Sequence, residues 1–307
     1  MKIAVCIIDH DQDASVARTI KKLDRQTKKP DEIIVCCDSN IPFVSDRPDV
    51  SVVHELASGR CLNRNNGARW FLDSDCDALV FLDGDCCPKH TNFLQKYSDL
   101  LEKYGLVFGT REHSMPKRKL ELPPSDLLTV NMDNLYHGKK LDSTDLRVAS
   151  GAVDAWNRAS TFEERLDLMV TGMIGWSCNF GFTRKALEKH MSFMKSTYGR
   201  YELFDSNAFD GSWGYEDVAM GIDALYAGIS IGISDDLKVV HSAHDRTDGL
   251  FDHVKGRHRI MQRVRGLEKS TKVKDMAYTV MLVMFLSYIA GIITGLVTGA
   301  ISLGAIQ

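Results

Sequence analysis

Asp83-Gly84-Asp85 closes the apolar run Leu79-Val80-Phe81-Leu82, and two carboxylates one residue apart offer hard oxygen ligands to a divalent cation. Mg²⁺ and Mn²⁺ that serve nucleotide phosphates commonly take only one or two protein carboxylates. A buried strand ending here would deliver both acids to the carboxyl edge of a sheet, where open α/β folds bind ligands. Gly84 would permit a tight turn between them. By itself an Asp-x-Asp is equally a loop motif. Other strand ends point to the same edge: Asp38 follows the apolar Glu32 to Cys37, and His241 follows Leu237 to Val240, with Glu216-Asp217 in a loop facing them. Carboxylates with one imidazole suit a Mn²⁺-like or Mg²⁺-like ion that also holds a diphosphate. Such an ion neutralises charge growing on a leaving group, while a separate carboxylate can act as general base on an acceptor hydroxyl. Group transfer from a nucleoside diphosphate needs all of these parts. Each also has a structural reading: Asp38 as a turn cap before Ser39 and Asn40, Glu216-Asp217 as the acidic first turn of a helix, and His241 as a packing residue, with His244 the substitute ligand.

The elements that must position these groups follow in order. Lys2 to Ile8 reads as a strand, Asp9 to Asp13 as a polar turn, Ser15 to Gln26 as a helix with Val16, Ile20 and Leu23 on one face, and Glu32 to Cys37 as a second strand. That is a βαβ unit, which implies a parallel sheet with a right-handed crossover. Val50 to His54 is the next strand, Gly67 to Leu72 is helical after an Arg- and Asn-rich stretch, and Leu106 to Gly109 is a strand beyond the Asp-x-Asp. Residues 111 to 169 are polar and weakly periodic, either an insertion forming the acceptor side of a cleft or a solvated pair of helices. A Gly and aromatic run, Gly175 to Phe182, precedes a helix from Arg184 to His190. A Gly and Trp loop, Phe209 to Tyr215, leads into Glu216-Asp217 and a helix from Val218 to Ala227. The expected fold is α/β, a Rossmann-like, mainly parallel sheet with helices on both faces.

Composition bounds the function. A net charge of −3 gives no global electrostatic case for nucleic acid, and none is expected as a partner. There is no phosphate loop and no Gly-x-Gly-x-x-Gly after the first strand, which argues against an ATPase and a dehydrogenase. The eight cysteines include two adjacent pairs and no Cys-x-x-Cys, so reduced thiols in a cytosolic setting are expected rather than disulfides or zinc. The chain opens on a strand pattern, so no signal peptide is expected. Lys255 to Lys274 carries eight Lys or Arg against one Glu, with Ile260, Met261, Val264 and Leu267 on one helical face. This predicts a basic amphipathic helix in the headgroup layer of an anionic membrane. Met276 to Ile306 then runs 31 residues without a charge, enough for a transmembrane helix or a short hairpin. Gly291, Gly295 and Gly299 share one face and offer a homodimer contact. The basic flank places the preceding domain in the cytoplasm. The organisation expected is a catalytic domain over residues 1–248, a juxtamembrane helix over 249–275 and a membrane segment over 276–307.

The order of motifs over roughly residues 2 to 245 resembles the family 2 glycosyltransferases of GT-A fold. Asp38-Ser39 resembles the family's early nucleotide-contacting segment, Arg64-Asn65-Asn66-Gly67 its Arg-Asn-x-Gly helix start, and Phe81 to Asp85 its Asp-x-Asp. Ser177 to Arg184 is similar to its Gly/Ser-x-Asn-x-x-Phe-x-Arg segment, and Gly214 to Asp217 to its Gly-x-Glu-Asp. The resemblance implies transfer of a sugar from a nucleoside-diphosphate donor, most often a UDP-sugar, to a hydroxyl of a glycan or lipid-linked acceptor. It implies Asp85 and His241 around Mn²⁺ or Mg²⁺, Asp83 on the ribose or the metal, Asp217 as the base of an inverting reaction, and Glu216 positioning the acceptor or neighbouring groups. Asp9, Asp38, Arg64, Asp83, Asn179 and Trp213 are the expected nucleotide-sugar contacts, with Trp176 a further stacking residue. The sequence departs from the family at Asp9-His10-Asp11-Gln12, where Pro-x-x-Asn is usual, and at Cys37-Asp38, where two acids are usual. A nucleotidyltransferase and an inactive membrane-bound binding protein are the rival readings. The first calls for a Gly-rich, Arg-Lys-containing loop after the first strand, which Asp9 to Ser15 is not.

Overall fold

A computed structural model of the chain describes residues 1–56, 59–113, 147–170, 175, 177–210, 214–242 and 250–271. Trp176, Trp213, His244, the expected membrane segment and its three glycines lie outside these residues, as does most of the polar stretch after Arg111.

The first half alternates as the sequence predicts: β1 (Ile3–Asp9), α1 (Asp13–Leu23), β2 (Glu32–Cys37), β3 (Val50–His54), α2 (Gly59–Asp73), β4 (Ala78–Asp83) and the short β5 (Cys86–Pro88). Then follow α3 (Phe93–Leu101), β6 (Leu106–His113), α4 (Arg147–Arg158), α5 (Phe162–Val170), β7 (Asn179–Thr183), α6 (Arg184–Tyr198), α7 (Ser206–Phe209), α8 (Glu216–Tyr226), β8 (Ile231–His241) and α9 (Leu250–Thr271). One eight-stranded sheet runs β3-β2-β1-β4-β7-β6-β8-β5. β1, β2, β3 and β4 pair in parallel, and so do β6 and β8; β7 is antiparallel to both β4 and β6, and β5 to β8.

The sheet is therefore mixed rather than mainly parallel. The Gly and aromatic run before α6 is itself a central strand: Phe180 and Phe182 are fully buried, and Phe180 stacks on Phe81 of β4 with ring centroids 4.7 Å apart. A five-residue strand rich in Gly and Phe has too little alternation to be recognised from sequence. β8 is longer than expected because its polar Ser234-Asp235-Asp236 bulges out, the register jumping from Gly109↔Ser234 to Thr110↔Lys238.

Helices cover both faces. α1 and α3 close one side over Ile3, Val5, Ile7, Val80 and Leu82; α2, α6 and α8 close the other over Ala4, Cys6, Leu79 and Phe81. All eight cysteines are free and buried, as the composition led us to expect. α9 corrects one expectation. Its apolar face, Ile260, Val264 and Leu267, is 1%, 4% and 2% exposed, so it packs into the core rather than facing lipid. No helix among the described residues is long and apolar enough to cross a membrane.

Candidate active site

The carboxyl ends of β1, β2, β4, β6 and β8 lie along one edge of the sheet, the amino end of α8 reaches that edge at β4 through Arg64, and the site is built from what each delivers. α2 explains the Arg-Asn-x-Gly motif residue by residue. Arg64, 2% exposed, donates from Nη2 to Asp83 Oδ1 at 2.8 Å and places Nη1 3.6 Å from Glu216 Oε1. Burial works to lower its pKa, but the charges of Asp83 and Glu216 more than offset this and hold it cationic. Asn65 accepts from the backbone of Leu203 and Phe204 at 3.0 and 2.8 Å and donates to the Phe204 carbonyl at 2.9 Å, tying the chain before α7 to the sheet layer. A side chain at Gly67 would sit 2.4 Å from Cys6 Sγ, so glycine sets how closely α2 approaches β1.

The Asp-x-Asp splits into two jobs. Asp83 belongs to Arg64. Asp85 is 5% exposed, and its Oδ2 lies 3.2 Å from His241 Nε2, because β5 and β8 pair with Cys86 opposite His241. Donor atoms of Asp85, Cys86 and His241 all lie within 4.8 Å of one another. Asp83 is not in this group: its Oδ1 is engaged by the Arg64 guanidinium, and its side chain stays 29% exposed at the edge of the site. One carboxylate and one imidazole together fit a divalent ion that keeps further positions for phosphate oxygens. Gly84 serves a close approach, not a left-handed turn: a Cβ there would meet the Ile8 carbonyl at 3.0 Å.

Asp217 stands in the first turn of α8. Its Oδ1 accepts from the Val218 amide at 2.8 Å and its Oδ2 from the Ser177 amide at 3.2 Å. Burial, followed by the adjacent charge of Glu216, pushes its pKa up to about 6, against the lowering effect of those amides and Arg64. A carboxylate so tuned matches what a general base at neutral pH requires.

On the β1 and β2 side, Asp38 is 8% exposed and committed to the protein: Oδ1 pairs with His10 Nδ1 at 2.8 Å, and Oδ2 accepts from the Gly59 amide at 3.0 Å. Asp9 is fully buried. Its Oδ1 accepts from the Gln12 amide at 3.0 Å, its Oδ2 has no partner, and burial raises its pKa to about 6. Asn179 is a second correction. It is fully buried, accepts from Tyr97 Oη at 2.7 Å, and donates to the carbonyls of Leu237 and Thr110 at 2.5 and 3.2 Å. It clips β7 to β6 and β8 and has no access to a sugar.

Two residues near the pair escaped the sequence reading. Burial works to lower the pKa of Arg111 on β6, and the carboxylates of Asp83 and Asp217 are among the neighbours that raise it, so the guanidinium stays cationic. An Arg just past an apolar strand at the ligand-binding edge was the available signal. Asp210, after α7, accepts the Cys61 amide at 3.0 Å and so caps α2; nothing local in sequence announces a cap supplied from 149 residues away.

With this geometry in hand, residues 4–191 match the family model described as glycosyl transferase family 2. The chain belongs to that family. No curated protein matches the chain. Among solved structures, S. aureus TarS 1–349 in complex with UDP is similar at 12% identity over 90% of this chain and 67% of that one, with a TM-score of 0.49. The mannosyltransferase PcManGT from Pyrobaculum calidifontis, in complex with GDP-Man and Mn²⁺, is similar at 13% identity over 94% and 80%, with a TM-score of 0.49.

Proposed function

We propose that the protein is a metal-dependent, inverting glycosyltransferase that moves a hexose or N-acetylhexosamine from a nucleoside-diphosphate donor, a UDP-sugar first, to a hydroxyl of a glycan or lipid-linked acceptor. The observation that carries this reading is Asp217, a carboxylate with its pKa pushed up to about 6 at the sheet edge that also holds the Asp85–His241 pair. Asp217 takes the acceptor hydroxyl proton as the acceptor oxygen bonds to the anomeric carbon from the face opposite the diphosphate. The bond to the diphosphate breaks in the same step, and the configuration inverts. Asp85 and His241 would hold Mn²⁺ or Mg²⁺, which supplies countercharge to the leaving diphosphate. Arg64 fixes Asp83 and Glu216 beside that position, Asp83 toward the ribose or the metal and Glu216 toward the acceptor. The loops bearing Asp9 and Asp38 border the nucleoside.

The uncharged run from Met276 to Ile306 supports attachment to a membrane with the catalytic domain on the cytoplasmic side, and Gly291, Gly295 and Gly299 support self-association there. The test of function is release of nucleoside diphosphate from UDP-N-acetylglucosamine, UDP-glucose and GDP-mannose with Mn²⁺. One donor is expected to turn over, a chelator to stop it, and Asp85→Ala and Asp217→Asn to abolish it with the fold intact. Near-normal turnover by Asp217→Asn would remove the base assignment.

A further inference from the structure

Tyr215 is one of two non-glycine residues among those described with a left-handed backbone, at φ 70°, and it immediately precedes the Glu216-Asp217 pair. Side chains disfavour this region, and such a conformation persists only where the surroundings impose it. The preceding Gly214 does not impose it: φ there is 80° and a Cβ would meet nothing within 4 Å. The constraint comes from α9. The Tyr215 ring lies against Gly256, where a Cβ would fall 2.3 Å from Tyr215 Cδ2, and Arg257 Nε donates to Tyr215 Oη at 2.8 Å. α9 is itself anchored about two turns further on. Arg263 donates to both oxygens of Asp223 on α8 at 2.6 to 3.0 Å and to Asp205 Oδ2 at 2.8 Å, with its guanidinium 4.1 Å over the Tyr198 ring.

α8 is therefore gripped at both ends by one helix. At its start the Tyr215 carbonyl accepts the Ala219 amide at 3.0 Å, so the direction of Tyr215 sets where the first turn, and with it Asp217, is aimed. We propose that Tyr215 is a positioning residue for the Glu216–Asp217 pair, and that Gly256 and Arg257 of α9 hold it there as part of the catalytic apparatus. This rests on the reading of Asp217 as the base. It assigns a role in turnover to a helix outside the family-matched residues 4–191.

The test uses the full chain, Mn²⁺ and whichever of UDP-N-acetylglucosamine, UDP-glucose and GDP-mannose the wild type consumes. Gly256→Ala, which drives a methyl into the Tyr215 ring, is expected to lower kcat by about 10- to 100-fold, because small misplacements of a reacting group carry such penalties. The donor KM should stay within about twofold, since the donor is held elsewhere, and the acid limb of the kcat profile should shift as the surroundings of Asp217 change. Tyr215→Phe keeps the ring and loses the hydroxyl to which Arg257 donates, so it should retain more activity than Gly256→Ala. In the double variant Tyr215→Gly with Gly256→Ala, the second substitution should add no further loss, the signature of a direct contact. A folded Gly256→Ala with wild-type kcat and pH profile overturns the proposal. Should Gly256→Ala fail to fold, Tyr215→Gly decides alone: it removes ring and strain without a clash, and unchanged kcat overturns the proposal. Asp217→Asn separates the two readings. If it is inactive while the Tyr215 and Gly256 variants behave as wild type, the base stands and the positioning role falls; if it is active, the base assignment itself is wrong.

Discussion

Asp217 and Asp9 both carry pKa values pushed up to about 6, and the same shift has different consequences. For Asp217 the consequence is in rate. A base must be deprotonated, so kcat should fall as pH drops through about 6 and level off above it; a profile flat from pH 5 to 8 would contradict that role. Replacing Asp217 by Asn should remove the limb together with about 10²- to 10⁴-fold of rate. For Asp9 the consequence is in stability. Its folded pKa lies above the unfolded value of 3.8, so the stability linked to that proton is fully present below about pH 4 and is lost as pH rises through about 6. Asp9→Asn, which can still accept from Gln12, should therefore be more stable than wild type at pH 8 by ~1–3 kcal/mol. The gap should close near pH 4, as denaturant titrations at the two pH values would show. At this scale the sequence was readable in the placing of Asp83 to Asp85 at a strand end and of Glu216-Asp217 in the first turn of a helix, because residue type and spacing carry both. It misled at Asn179, because a buried amide that clips three strands and one that binds a sugar look identical in a string of letters.

At the scale of elements, α2 and α9 were each half legible. α2 buries Asn63, Arg64 and Asn65 along with Phe71, so its inward face carries little hydrophobic periodicity and only its last turns were recognisable. α9 had a clear apolar face, and only its partner was misjudged. Amphipathicity states that a face is covered but not by what, and Ile260, Val264 and Leu267 find α8 and the core. The charged residue on that helix makes the difference measurable. Arg263→Met would leave Asp223, 1% exposed, as a buried carboxylate without its cation, at a cost of ~3–5 kcal/mol. A helix whose basic residues served only a lipid surface would lose almost nothing in thermal unfolding on the same change.

For the whole molecule, the end of α9 divides what folding needs from the residues to which membrane attachment is proposed. Deleting residues 272–307 leaves every described element in place and should preserve the unfolding temperature, while deleting 250–307 uncovers the apolar bed on α8 and should lower it or cause aggregation. Sedimentation with membranes tests the other half of the same dissection. The chain without 276–307 is expected in the supernatant, and a shortened chain that still pellets would place the attachment elsewhere.

The sequence by itself determined the reaction class, the βαβ half and the order in which acids, Arg64 and His241 arrive, because these depend on residue type, period and local spacing. Tertiary structure alone decided that Asp83 goes to Arg64 while Asp85 goes to His241, that β7 enters the sheet antiparallel, and that α9 grips α8 beside Asp217. Those outcomes depend on which surfaces meet between residues that lie from 19 to more than 100 apart in the chain, through packing and paired charge that no local window contains.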